Sequence, residues 1–196
     1  MENLKLTEAN FERVAGLLGV EKAVIKAVQA VETGGLGGFW GPDKPRILFE
    51  GHIFWKQLVK LGLDPNNYVE GNEDILYKVW TKAHYRGNQT EYKRLEKALL
   101  INREAALASA SWGMFQIMGF NYALCGFRGV VDFVEAMKKN EGAQLEAFAN
   151  FVKGNKLTVY LVNKDWRGFA RRYNGPCFEQ NKYDQKLEQA YRKYVL

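Results

Sequence analysis

Along most of the chain apolar residues recur every three to four positions, the spacing of one buried helix face. Thr7-Glu8-Ala9-Asn10 opens the first such stretch, with Phe11, Val14, Leu17 and Leu18 on one face and Gly19 as its stop. A second runs from Glu21 to Glu32 on Val24, Ile25, Val28 and Val31, and Thr33-Gly34-Gly35 ends it. His52 to Leu61 makes a third, closed by Gly62. Thr90 is expected to cap one long helix from Glu91 to about Ala108, carrying Leu95, Ala98, Leu99, Ala105 and Ala106. Further helices are predicted at Val130 to Lys139, Gln144 to Lys153, Thr158 to Asn163, Trp166 to Tyr173 and Tyr183 to Val195, with Gly154-Asn155 and Asn174-Gly175 as stops.

The helical period fails in two places. Leu36 to Arg46 is rich in glycine and proline and leads into Arg46-Ile47-Leu48-Phe49-Glu50, a short strand and the one convincing β signal. Asn66 to Gly87 is polar and aromatic with weak periodicity, and predicts a loop with a short helix around Ile75 to Trp80. The expected fold is mainly α, with one small β element beside the helical body, a natural place for a cleft.

Length and composition then narrow the class. With 196 residues and 47% hydrophobic content the chain is expected to form a single domain over residues 1–196, with 5 Trp, 10 Tyr and 12 Phe to build its core. Disorder is excluded, and apolar runs such as Val14 to Val20 fall far short of the roughly 18 residues of a membrane span. Glu2, Glu8 and Glu12 occupy the region where a signal peptide carries positive charge, so synthesis in the cytoplasm without a leader is expected. Cys125 and Cys177 are too few for a disulfide framework, and with His52 and His84 they complete no metal cluster; two thiols or one long-range disulfide both fit. Residues 1–80 hold 9 Lys/Arg against 11 Asp/Glu, whereas residues 81–196 hold 19 against 11. The cations of the basic part are spaced along helices rather than massed, which suits solvated faces better than nucleic acid.

Glu32 is the first candidate for chemistry. It lies seven residues after Ile25 and four after Val28, on the apolar stripe, and at a helix C-terminus whose dipole opposes negative charge. Burial and dipole both favour the protonated form that a general acid requires, although a frayed end turned to solvent also fits the spacing. The segment Thr33 to Trp40 lets backbone approach a ligand and offers aromatic faces on which sugars stack, or is an ordinary loop. Glu50 lies 18 residues after Glu32 and is a possible second carboxylate; Asp43 competes with it, and either could instead pair with Arg46. Glycoside hydrolysis typically uses two such groups about 5 to 9.5 Å apart. The stretch Ser111 to Tyr122 is too apolar for a surface loop, so Gln116 within it needs a core network or a ligand. Tyr173-Asn174-Gly175 closes a helix, either as a left-handed cap or as a polar edge of the site.

Taken in order, these segments resemble the lysozyme superfamily, including goose-type lysozymes and lytic transglycosylases: a helix-ending Glu followed by Thr, then Gly-x-x-Gln-Ile, then Tyr-Asn-Gly. The Glu-Thr-Gly-Gly and Gln-Ile-x-x-x-Asn-Tyr pieces also resemble plant-type chitinases. Over nearly the whole chain, Val31 to Gly35, Arg46 to His52, Ser109 to Met118 and the Tyr173 region are similar to the N-acetylmuramidase domain of phage endolysins.

That resemblance implies a cofactor-free, monomeric enzyme cleaving peptidoglycan glycan strands between N-acetylmuramic acid and N-acetylglucosamine, released to the periplasm or cell wall by a holin-like route. Glu32 would be the acid and Glu50 the base or charge stabiliser, facing each other across one cleft with Trp40 or Phe39. Thr33, Trp40, Gln116, Asn121, Tyr173 and Asn174 would bind sugar. Where the chitinase-like element has a small hydroxyl residue after Gln-Ile, this chain has Met118, so a water-positioning mechanism does not carry over. The rivals are a lytic transglycosylase and a non-catalytic module binding wall or nucleic acid.

Overall fold

The computed structural model describes residues 4–195, with the backbone alone for Asn88 and Cys177. The expectations for the first three residues and for a Cys125–Cys177 pair therefore lie outside the described residues. In chain order the elements are α1 (Glu8–Leu18), α2 (Lys22–Glu32), β1 (Phe39–Gly41), β2 (Lys44–Pro45), β3 (Ile47–Phe49) and α3 (Gly51–Lys60). There follow α4 (Glu91–Leu99), α5 (Arg103–Ala108), β4 (Ala110–Trp112), β5 (Ile117–Met118), α6 (Val130–Lys139), α7 (Glu141–Gly154), α8 (Thr158–Val162), α9 (Trp166–Tyr173) and α10 (Tyr183–Val195). The fold is mainly helical with small sheets, as the apolar spacing predicts. By its contacts the chain divides into two compact units, one running to Gly37 and resuming at Asn140, the other Gly38–Lys139.

The first unit packs α1 on α2 and α7, and lays α10 along α2. α1 starts where Thr7 and Asn10 cap each other: the Thr7 N–H donates to Asn10 Oδ1 at 2.9 Å, and Thr7 Oγ1 accepts the Asn10 N–H at 3.4 Å. Its buried stripe is Phe11, Val14, Ala15 and Leu18, the i, i+3, i+4, i+7 set. Leu17 falls off that stripe and is 40% exposed, against expectation. α2 buries Val24, Ile25, Ala27 and Val28, each such Val or Ile contributing about 1.5–3 kcal/mol, while Val31 stays half-buried.

The second unit holds all the strands among the described residues. β1 and β2 form an antiparallel hairpin with Asp43 at φ +56° in its turn. β3, β4 and β5 form an antiparallel sheet, Ile47 opposite Trp112, Phe49 opposite Ala110 and Ser111 opposite Met118. The stretch around Gln116 is thus a sheet turn, a β element invisible to periodicity because β4 is buried on both faces and β5 has two residues. The long helix expected from Glu91 to Ala108 is two. Leu100 is 88% exposed at the break, Asn102 caps α5 by accepting the Ala105 N–H at 2.9 Å, and Thr90 makes no side-chain cap at all. The short helix expected at Ile75 to Trp80 is absent. Ile75 and Leu76 are buried from a turn whose N–H groups both donate to the Asn72 carbonyl, at 3.0 and 2.8 Å. A 3-10 helix at Pro65–Tyr68 lies just before it. α7 begins three residues before the predicted Gln144, where Asn140 accepts the Ala143 N–H at 2.9 Å.

Candidate active site

In the first unit, α2 ends at Glu32 because Thr33, the C-cap, turns its hydroxyl back to the Gln29 carbonyl at 2.8 Å, and Gly34 and Gly35 follow at φ +58° and +74°. Glu32 is half-buried. One carboxyl oxygen, Oε2, accepts the Asn174 side-chain N–H at 2.8 Å; the other, Oε1, is buried without a partner among the described residues. Burial pushes the carboxyl from an ordinary 4.5 up to about 7, opposed by the Asn174 hydrogen bond. A group so poised is half protonated near neutrality, the state that proton donation needs.

Asn174 stands 142 residues from Glu32 in sequence and reaches it from the end of α9. The left-handed residue of this turn is Gly175, at φ +82°, whereas Asn174 remains helical at φ −91°. Its Oδ1 is buried and has no partner among the described residues. Tyr173 is set by aromatic packing: it stacks on Phe169 at 5.4 Å and meets the edges of Phe148 and Phe151 at 5.5 and 6.2 Å.

In the second unit, Glu50 sits where β3 gives way to α3, its carbonyl accepting the Ile53 and Phe54 N–H groups and its own N–H donating to Ser109. The Tyr85 hydroxyl lies 2.8 and 2.7 Å from the two carboxylate oxygens, and His52 Nδ1 lies 3.3 Å from one of them. Burial lowers the His52 pKa against the pull of Glu50, so this ring is mainly neutral at pH 7. Asp43 is exposed in its turn. Arg46 makes the expected bridge with neither acid; its guanidinium stacks on Trp40 at 3.8 Å. Trp40 Nε1 and Arg46 Nε are both buried donors without a partner among the described residues.

The remaining expected binding residues differ in how their polar atoms are used. Gln116, at φ +49°, has Oε1 accepting from Ser111 at 2.8 Å and Nε2 donating to the Gly113 and Arg46 carbonyls at 2.8 and 3.3 Å. It ties the β4–β5 turn to Arg46, the residue between β2 and β3. Thr33 is likewise committed to its own helix, and Asn121 is half-buried in a 3-10 turn. Gly119 starts that turn because a Cβ there would overlap the Leu107 carbonyl.

What the sequence pattern did not reveal is the support under Glu50. Glu91 and Arg94, 1% and 4% exposed, form a buried pair at 2.7 Å. Glu91 accepts the N–H groups of Phe49, Arg86 and Gly87, and Arg94 donates to the carbonyls of Phe49 and Asp74 and to the Tyr77 hydroxyl. Tyr77 in turn accepts the Gly51 N–H at 3.3 Å, and a Cβ at Gly51 would overlap its ring. Two oppositely charged residues at i, i+3 were the only available signal, and on a helix that spacing ordinarily means a solvated pair.

No group of three or more His, Cys, Asp or Glu able to hold a metal occurs among the described residues, and no helix there is long and apolar enough to cross a membrane.

A mainly helical body with small sheets and a helix-terminal carboxyl held near neutral pKa has the character of a lysozyme-like glycoside hydrolase. Comparison with known proteins agrees. The N-acetylmuramidase family model matches residues 21–195. Among solved structures, a Burkholderia AP3 phage endolysin is similar with a TM-score of 0.91 and 38% identity, over 100% of this chain and 73% of that one. No curated protein matches. The chain belongs to the N-acetylmuramidase family and is a glycoside hydrolase of the muramidase type.

Proposed function

We propose that this muramidase acts alone, as a single catalytic domain, on peptidoglycan, hydrolysing the bond between N-acetylmuramic acid and N-acetylglucosamine with Glu32 as general acid. The observation that carries the assignment is the Glu32 carboxyl itself: buried, at a helix C-terminus, with a pKa of about 7, one amide donor and one unpartnered oxygen. The unpartnered oxygen is free to meet the glycosidic oxygen and deliver the proton. Glu50 is the second carboxylate, activating water or stabilising positive charge on the sugar.

Asn174, with an unused acceptor beside Glu32, suits an acetamido N–H, and Trp40 and Arg46 offer unpartnered donors to sugar oxygens. Tyr173 and Asn121 complete the binding set. Gln116 and Thr33, whose polar atoms are already bonded, shape the backbone that carries the site rather than contacting sugar. The likeness to a phage endolysin supports a role in host lysis, with the protein made in the cytoplasm and acting on the wall.

The test is digestion of purified peptidoglycan by wild type and Glu32→Gln side by side, with mass spectrometry of the products. The reading predicts a loss of about 10²–10⁴ in rate and products that have gained one water per cut. Anhydro products would instead identify a lytic transglycosylase, which manages with one essential Glu. Binding of peptidoglycan without turnover by either protein would leave a wall-binding module.

A further inference from the structure

We propose that Tyr85 is a positioning residue for the reaction: its hydroxyl fixes the orientation of the Glu50 carboxylate, and the buried Glu91–Arg94 pair fixes Tyr85 against Glu50. This rests on the assignment of Glu50 as second carboxylate made above.

A glutamate side chain has several rotatable bonds, and a reacting carboxylate must hold one orientation out of many. At Glu50 the hydroxyl of Tyr85 lies almost equally far from both oxygens, 2.8 and 2.7 Å, so one phenol proton restrains the rotation of the whole group. The direction of that bond is set as well. Burial and the neighbouring Glu50 keep the Tyr85 phenol protonated. A phenol that holds its proton is the donor in both contacts to Glu50.

Both ends of the contact are tied to the same two buried side chains. On the Tyr85 side, the next two backbone N–H groups, Arg86 and Gly87, donate to Glu91 Oε1 at 2.7 and 3.3 Å. On the Glu50 side, the Phe49 N–H donates to Glu91 Oε2 at 3.1 Å and the Phe49 carbonyl accepts from Arg94 at 2.8 Å. Gly51 is held by Tyr77, which accepts from Arg94 at 3.3 Å. The loop carrying Tyr85 is therefore anchored through Glu91 independently of its hydroxyl. The phenol bond to Glu50 is not needed to hold the loop, and its remaining consequence is the placement of the carboxylate. His52 Nδ1 lies 3.3 Å from one oxygen but makes no hydrogen bond among the described residues, so it does not replace that bond.

The experiment is a double-mutant cycle of wild type, Tyr85→Phe, Glu50→Gln and the double variant, measuring kcat and KM on soluble glycan strands prepared from purified peptidoglycan, with melting curves for each. The expected result is a kcat lower by about 10- to 100-fold in Tyr85→Phe with KM nearly unchanged, since misplacement of a reacting group costs rate rather than binding. In the Glu50→Gln background the same substitution is expected to cost almost nothing, and its melting shift to stay within about 4 °C. If Glu50→Gln is greatly impaired while Tyr85→Phe matches wild type, the positioning role is wrong and Glu50 stands. If Glu50→Gln itself matches wild type, the second-carboxylate assignment falls and takes this proposal with it. An equal loss from Tyr85→Phe in both backgrounds, or a larger melting shift, makes Tyr85 a structural residue and overturns the proposal.

Discussion

Glu32 ends a helix, receives one amide hydrogen bond from Asn174 and keeps its second oxygen buried and bare, whereas Glu50 opens a helix with both oxygens against the Tyr85 hydroxyl and His52 beside them. Next to Asn174, the partner of Glu32, Tyr173 is held by aromatic packing; behind Glu50 stands a polar lattice built on Glu91 and Arg94. A carboxyl given too few partners holds its proton to higher pH, which is what a donor requires. A carboxyl given a dedicated donor is instead fixed in space. On the proposed function, proton supply falls to the first region and geometry to the second, and each role should fail in its own way when altered.

The largest effect is expected at Glu32. Replacement by Gln removes the proton while keeping the shape, so the rate should fall by about 10²–10⁴, yet the folded protein should gain stability. The folded state binds the Glu32 proton more tightly than the unfolded chain, so this group's contribution declines as pH rises from 4.5 to about 7. A neutral Gln escapes that decline, by up to about 3 kcal/mol. Melting curves at pH 8 should place Glu32→Gln above wild type, with the difference closing toward pH 4.5. A catalytic loss accompanied by destabilisation at pH 8 would remove the distinction between the two carboxyls.

In the second region the corresponding break is Arg94→Met, which leaves Glu91 buried and unpaired at a cost of about 3–5 kcal/mol. Thermal unfolding should register a drop on the order of 10 °C, and an unchanged melting point would show that the lattice supports nothing.

Removing the Asn174 donor is a smaller intervention. Since that bond lowers the Glu32 pKa, Asn174→Ala should move the basic limb of the pH–rate profile upward from about 7, whatever happens to its height. A limb that stays in place would detach the profile from Glu32.

The smallest effect on stability is expected at Tyr173, where Phe preserves the stacking on Phe169 and the edges toward Phe148 and Phe151. Tyr173→Phe should melt within about 2 °C of wild type while peptidoglycan cleavage falls several-fold. Unchanged cleavage would take Tyr173 out of the sugar-binding set.

The two regions also differ in how much of them is legible in the sequence. The helices of the first region declare themselves by period and punctuation: Thr7 and Gly19 bound α1, Gly175 closes the turn after α9, and Glu32 falls on a countable stripe. Even so, no local pattern specifies that Asn174 donates to Glu32, because that depends on how α9 packs. The second region hides more. β4 and β5 are too short and too buried to alternate, the break at Leu100 to Asn102 interrupts no apolar stripe, and Ile75 and Leu76 are buried from a turn. Glu91, Arg94, Tyr77 and Tyr85 act on Glu50 through polar contacts spanning 26 to 45 residues, for which periodicity has no signature. Glu91 and Arg94 at i, i+3 form a buried pair, which charge spacing on a helix does not distinguish from a solvated one.

The central claim is that Glu32 is kept protonated near neutral pH by its surroundings, and the direct measurement is its own titration. Selective ¹³C labelling of glutamate carboxyls, with Glu32→Gln to assign the resonance, follows that single group by NMR through the pH range. The account predicts a midpoint at about 7; a midpoint at the ordinary 4.5 would contradict it.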